Sequence, residues 1–184
     1  MIGTIRKVGA DLLFNAINHH NIADVNALLE DSEADVNSQN INGQTPLHYA
    51  VDAQNTQIIS LLLQYGASPD IQEHEEVGKN TPMHMAVERN MLDVVDLFLQ
   101  CGGDATIPNV HGFTSLHVAA RNGLLDMTKL LLARGVNPQI RDKYGNSAAY
   151  WAKEKRHTDV LEVLPDPLKI SMQEYGEHTK IVFE

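Results

Sequence analysis

Residues 43–51 read GQTPLHYAV, and they decide the fold. Thr45 has a hydroxyl that can accept one of the orphan backbone N–H groups at a helix start. Pro46 then falls on the first helical position, where a missing N–H costs nothing and φ is already helical. Leu47, Ala50 and Val51 follow at the i, i+3, i+4 spacing of one buried stripe. The stretch therefore predicts a short helix that starts at a fixed residue and buries one face. Past it, Ile58, Ile59, Leu61, Leu62 and Leu63 predict a second helix, closed by Gly66 in a left-handed cap. On the N-terminal side, Asn42-Gly43 has the chemistry of a tight hairpin turn.

The stretch recurs. Residues 79–87 read KNTPMHMAV, residues 112–120 GFTSLHVAA and residues 145–153, more weakly, GNSAAYWAK. Thr45, Thr81, Thr114 and Ser147 anchor the copies at spacings of 36, 33 and 33 residues. Each copy runs on into a second apolar segment, closed in the next two by Gly102 or Gly103 and by Gly135. Tyr144-Gly145 repeats the hairpin-turn chemistry ahead of the fourth copy. Ahead of the first, LLFNAINHHNIADVNALLEDSEADVN (12–37) fits the same template without the Thr-Pro start. One helix pair cannot bury its own apolar face, whereas a row of pairs can.

In these residues the chain resembles the ankyrin repeat family, from about Asp11 to Leu164. The resemblance implies an all-α fold, a solenoid of stacked antiparallel helix pairs with β-hairpin-like fingers. The expected organisation is an N-terminal lead at 1–10, then a repeat domain at 11–164. That domain divides into a cap at 11–39, repeats at 40–72, 73–107 and 108–140, and a C-terminal cap repeat at 141–164. A tail follows at 165–184. Degenerate end units fit, because an end repeat presents a polar outer face.

Three departures stand out. Glu73–Lys79 holds three extra residues, and Lys79 stands where the other copies carry glycine. The glycine expected between the two helices of a pair is replaced by Gln54, Asn90 and Arg156, with Gly123 alone retained, so those junctions are expected to be strained. In the tail, Pro165 and Pro167 stop the last helix, and Leu168, Ile170 and Met172 alternate with polar residues.

Charge is graded along the chain, whose net is −10. From Asp11 to Asp70 there are eight carboxylates and no Lys or Arg, and from Glu73 to Ile107 seven carboxylates against Lys79 and Arg89. From Pro108 to Leu164 the sign turns, with eight basic residues against five acidic ones. An acidic N-terminal two-thirds repels phosphate and anionic lipid, which argues against nucleic acid and membrane partners. No apolar run is long enough to span a bilayer, and no secretory leader is expected at MIGTIRKVGADLLF. The one cysteine, Cys101, allows no internal disulfide and fits a reducing compartment, cytoplasmic or nuclear.

Nine histidines raise the question of an enzyme or a metal site. His48, His84 and His117 repeat at one position of the copies, which points to a structural role, hydrogen bonding between repeat loops. His19, His20 and His74 have no partners at ligand spacing, and Cys101 has the acidic neighbour Asp104, the reverse of what activates a thiol. No nucleophile elbow, P-loop or zinc-protease motif is present. Neither catalysis nor a cofactor is expected.

The resemblance further implies that the fingers and the first helix of each pair line a concave groove that holds another protein. Register places Tyr49, Met85, Val118 and Trp151 at one groove position. Asp52, Glu88, Arg121 and Glu154 share a second, and Ala53, Arg89, Asn122 and Lys155 a third. On the fingers Asn42, Glu75, Glu76, Lys79, Phe113 and Tyr144 are expected to be exposed. Tyr, Trp, Met and Arg dominate interface energies. The expectation is an adaptor or scaffold, monomeric by itself, that binds a basic segment of a partner. A targeting or substrate-receptor subunit docked through the tail is the alternative.

Overall fold

The computed structural model describes residues 2–31 and 34–165, with side chains from Gly9 onward. Among the described residues ten α-helices run in pairs: α1 (Ile2–Asn18) with α2 (Ile22–Glu30), α3 (Pro46–Asp52) with α4 (Thr56–Gln64), and α5 (Pro82–Glu88) with α6 (Leu92–Gln100). Then come α7 (Ser115–Arg121) with α8 (Leu125–Ala133), and α9 (Ala148–Glu154) with α10 (Thr158–Val163). A single 3-10 turn, Glu75–Val77, completes the helical elements, and no strand forms among the described residues. Helix α1 begins at Ile2, so most of the stretch expected as a lead continues the first helix. The tail and its proposed docking role lie outside the described residues.

The first helices form one row, with α1 on α3, α3 on α5, α5 on α7 and α7 on α9. In the second row α2 meets α4, α6 meets α8 and α8 meets α10. The stripe expected from the opening stretch faces inward: Leu47, Ala50 and Val51 are fully buried, with Ile58, Ile59 and Leu62 of α4. The next pair repeats this with Met83, Ala86 and Val87 against Val95 and Phe98. Ala50, Ala86, Ala119 and Ala152 stand at one register and have 0% exposure, so small side chains let the first-row helices approach closely. All of these residues belong to one continuous core. Each buried Leu, Ile or Val contributes about 1.5–3 kcal/mol relative to its exposed state, and part of that depends on the neighbouring pair being present.

The junctions between paired helices are left-handed without glycine, at Gln54 (φ 51°), Asn90 (φ 54°) and Arg156 (φ 63°), and also at His20 (φ 54°). Lys79 keeps the left-handed backbone (φ 58°) of the glycines it replaces. At the end of α6 the left-handed residue is Gly102, not Gly103.

Candidate protein-interaction face

Three of the first-row helices, α3, α5 and α7, open with the same reciprocal cap, in which the threonine hydroxyl accepts from the backbone N–H of a histidine three residues on. The histidine Nδ1 in turn accepts the threonine N–H, at 3.0 Å for His48 and Thr45 and 3.2 Å for His84 with Thr81 and His117 with Thr114. An accepting Nδ1 leaves the ring proton on Nε2. It is donated across to the next unit, to the carbonyls of Asn80 (3.2 Å), Phe113 (2.8 Å) and Asn146 (3.2 Å). Burial disfavours the charged imidazolium and lowers the His48 pKa to about 4, against partial opposition from the carbonyl bond. Burial lowers His84 and His117 in the same direction. These histidines are struts that hold each finger to the helix before it.

The fingers are closed turns stacked on one another. In three of them a single side-chain oxygen accepts two backbone N–H groups. Asn40 takes those of Asn42 and Gln44, Asn109 those of His111 and Phe113, and Asp142 those of Tyr144 and Asn146, all at 2.8–3.1 Å. In the long finger the same place is held by Glu73, one methylene longer, whose carboxylate accepts from the Asn80 side chain at 3.0 Å. One backbone bond joins each finger to the next: His74 N–H to Asn42 (2.8 Å), Val110 N–H to Gly78 (2.9 Å) and Lys143 N–H to His111 (3.1 Å). A single bond per step makes no strand ladder, which is why hairpin-like closure occurs without strands. The three extra residues bulge as the Glu75–Val77 turn between His74 and Gly78, so the insertion leaves the stacking intact.

Upon this frame the expected interaction residues divide. Asn42, Asp52, Glu75, Glu76, Lys79, Glu88, Arg121, Tyr144 and Lys155 are exposed, with Tyr144 the most open large side chain of the fourth finger at 68%. Tyr49, Met85, Arg89, Val118 and Trp151 are half-buried. Tyr49 packs edge-on to Phe14 at 4.9 Å. Phe113 requires a correction: it is 4% exposed, not a free finger residue. Its ring stacks on His117 at 5.9 Å and meets Trp151 edge-on at 5.1 Å, so the aromatic folds down onto α7 and α9 instead of pointing outward. Trp151 is in turn tied to its own finger, its indole N–H donating to Asp142 at 2.7 Å. Burial pushes the Asp142 carboxyl up, but the bonds from Asn146, Trp151 and Tyr144 outweigh it and leave the group below the usual range. Arg121 covers this cluster, its guanidinium 5.6 Å from the Phe113 ring centre and 5.9 Å from that of Trp151.

Charges on the row pair across units. Arg89 bonds Asp52 of the preceding unit. Between α5 and α7, a pocket of about 180 Å³ opens among Asn80, Glu88, Asn109, His111, Phe113 and Arg121, with His84, Val118 and Asn122 completing its lining. Asn80, Asn109 and His111 were not singled out from the sequence, whereas Asn122 was placed at the third groove position. Counting the repeat offset from Asp52 to Arg89 would have brought Asn122 to Glu88.

A family model described as ankyrin repeats (3 copies) matches residues 12–109 and 83–173. The chain belongs to the ankyrin repeat family. No curated protein matches the sequence. Ankyrin repeats are in general protein-interaction modules, typically without enzymatic activity. Among the described residues no three of His, Cys, Asp and Glu converge on a possible metal position, and no helix is long and apolar enough to cross a membrane.

Proposed function

We propose that this ankyrin repeat protein is an adaptor or scaffold inside the cell, without catalytic activity, that holds an extended segment of a partner protein along its fingers and first-row helices. The observation that carries the reading is the row of exposed charged side chains at repeat spacing, Asp52, Glu88, Arg121 and Glu154, with Lys155 beside the last, on a frame locked by the histidine struts. A rigid frame loses little entropy on binding, so a few contacts suffice for useful affinity. The acidic units between Asp11 and Ile107 favour a basic stretch of the partner at that end.

Affinity capture with the full chain tests this by comparing Glu88→Lys and Lys155→Glu with Lys129→Glu on the exposed face of α8. Partners lost with the first two variants and kept with the third support the reading. The same partners retained by all three would place the interaction elsewhere. Association should also weaken as salt rises, since the Debye length is about 8 Å at physiological ionic strength. Trp151→Ala is a poor probe of binding, because it breaks the bond to Asp142 as well.

A further inference from the structure

The charges at the second and third groove positions form a register in which the repeat offset matches each second-position residue with the third-position residue of the following unit. In the first gap, between α3 and α5, the acid Asp52 finds the cation Arg89 and the two pair. In the last gap, between α7 and α9, the corresponding residues are Arg121 and Lys155, both cationic. In the middle gap they are Glu88 and Asn122, a carboxylate and a neutral amide. Asn122 stands where Arg89 stands one unit earlier, and its amide cannot neutralise Glu88.

The pocket opens at this middle gap, with Glu88 on its wall and the buried Phe113 and His84 among its lining residues. Ion pairs among the described residues are Asp52–Arg89 and Asp96–Arg134, and neither involves Glu88. Arg121 lines the pocket as well, but its guanidinium is held over the rings of Phe113 and Trp151 and makes no ion pair with Glu88. Sites for whole small molecules run to about 300–1,000 Å³, so 180 Å³ has room for one side chain.

We infer that the gap between α5 and α7 takes one basic side chain, a lysine or arginine of an extended partner segment, with Glu88 as its counter-ion. The incoming cation occupies the place that Arg89 occupies beside Asp52. This rests on the proposed binding of a partner segment along the same row, and it names the feature of that segment the protein selects. The flanking gaps sharpen the choice. The first is already filled from within, and the last has the cation Lys155 at the matching position, which repels a second basic side chain and attracts an acidic one. A ligand with a basic residue over α5–α7 and an acidic residue toward α9 fits the sequence of charges. First-row helices lie about 8–10 Å apart, roughly three residues of extended chain, so the two should be about three positions apart.

Random 12-residue peptides displayed on phage and selected against the full chain supply the probe, with the best binder then synthesised and titrated by fluorescence anisotropy. The expected result is a lysine or arginine at one position, with affinity falling at least tenfold on Glu88→Gln and on Asn122→Arg and unchanged on Lys129→Glu. Asn122→Arg installs the internal cation that Arg89 provides one unit earlier, so it should block the gap while leaving the melting temperature equal or higher. That separates blockage from misfolding. Arg89→Asn opens the Asp52 gap, and peptides selected on it should carry a second basic residue about three positions from the first. Peptides that lose binding on Lys155→Glu but show no basic preference, or that ignore Glu88→Gln, would overturn this assignment and leave the groove reading standing. Selection of no binder, or of binders indifferent to every first-row variant, would overturn both.

Discussion

Single positions in this chain show where the repeat template is met and where it is strained. Ser115 stands at the first helical position that Pro46 and Pro82 hold in other units, and its hydroxyl is buried with no hydrogen-bond partner. A buried hydroxyl without a partner costs its desolvation. Ser115→Ala should therefore stabilise the fold by about 1 kcal/mol, read as a higher urea midpoint at unchanged slope. The left-handed junctions make a paired test. At Gln54 and Arg156 a Cβ is forced into a backbone region that costs about 1–2 kcal/mol, so Gln54→Gly and Arg156→Gly should each raise the melting temperature. Gly123 is the converse case, since a Cβ there would lie 2.6 Å from the His157 ring as well as at φ 71°. Gly123→Ala should cost about 2 kcal/mol. Equal effects of the three substitutions would show that φ does not decide these positions.

At the scale of the helix and its cap, the reciprocal threonine–histidine bond ties stability to pH. His48 must be neutral to accept at Nδ1, and its pKa falls from an ordinary 6.5 to about 4 on folding. The unfolded chain therefore binds a proton that the folded one refuses between those values. Stability is complete above pH 6.5 and is lost as pH falls from 6.5 toward about 4, by about 3 kcal/mol for this group alone. His84 and His117 add in the same direction. Asp142, held below the ordinary 3.8, adds its own loss only at still lower pH. Urea midpoints should be flat from pH 8 to 7 and fall steeply from pH 6 to 4.5, with a shallower fall in His48→Gln. A midpoint independent of pH across that span would refute the strut. This element was legible in the sequence because Thr45, Pro46 and His48 act within one turn of helix. The place of Phe113 was not, because it depends on another unit. Its equivalents Gln44, Asn80 and Asn146 are polar, and its ring turns inward to meet Trp151 and His117 beneath Arg121. The unpaired Glu88 was half-legible: the positions were aligned, but the partner of each lay one unit further on.

Across the whole molecule, the array has no central core that every residue touches, so each pair is as stable as its interfaces make it. The pair of α5 and α6 buries Met83, Ala86, Val87, Val94, Val95 and Phe98, with a neighbour on each side. The last described pair, α9 and α10, buries Ala148, Ala152, Val160 and Leu164, and α10 spans only Thr158–Val163. Smaller side chains and a shorter helix remove less apolar area from water, so this pair should open first. The chain carries its own reporter there, because the sole tryptophan, Trp151, lies in α9. Denaturation followed by tryptophan fluorescence should have a lower urea midpoint than denaturation followed by helical circular dichroism. Val160→Ala, which empties part of the small core of this pair at a cost of about 2 kcal/mol, should widen the gap between the two. Leu47→Ala, in the second pair from the other end, should move the circular dichroism curve and leave the fluorescence curve nearly in place. Coincident curves in all three proteins would mean that the interfaces couple the pairs into one all-or-none unit, and that stability here is not shared out along the row.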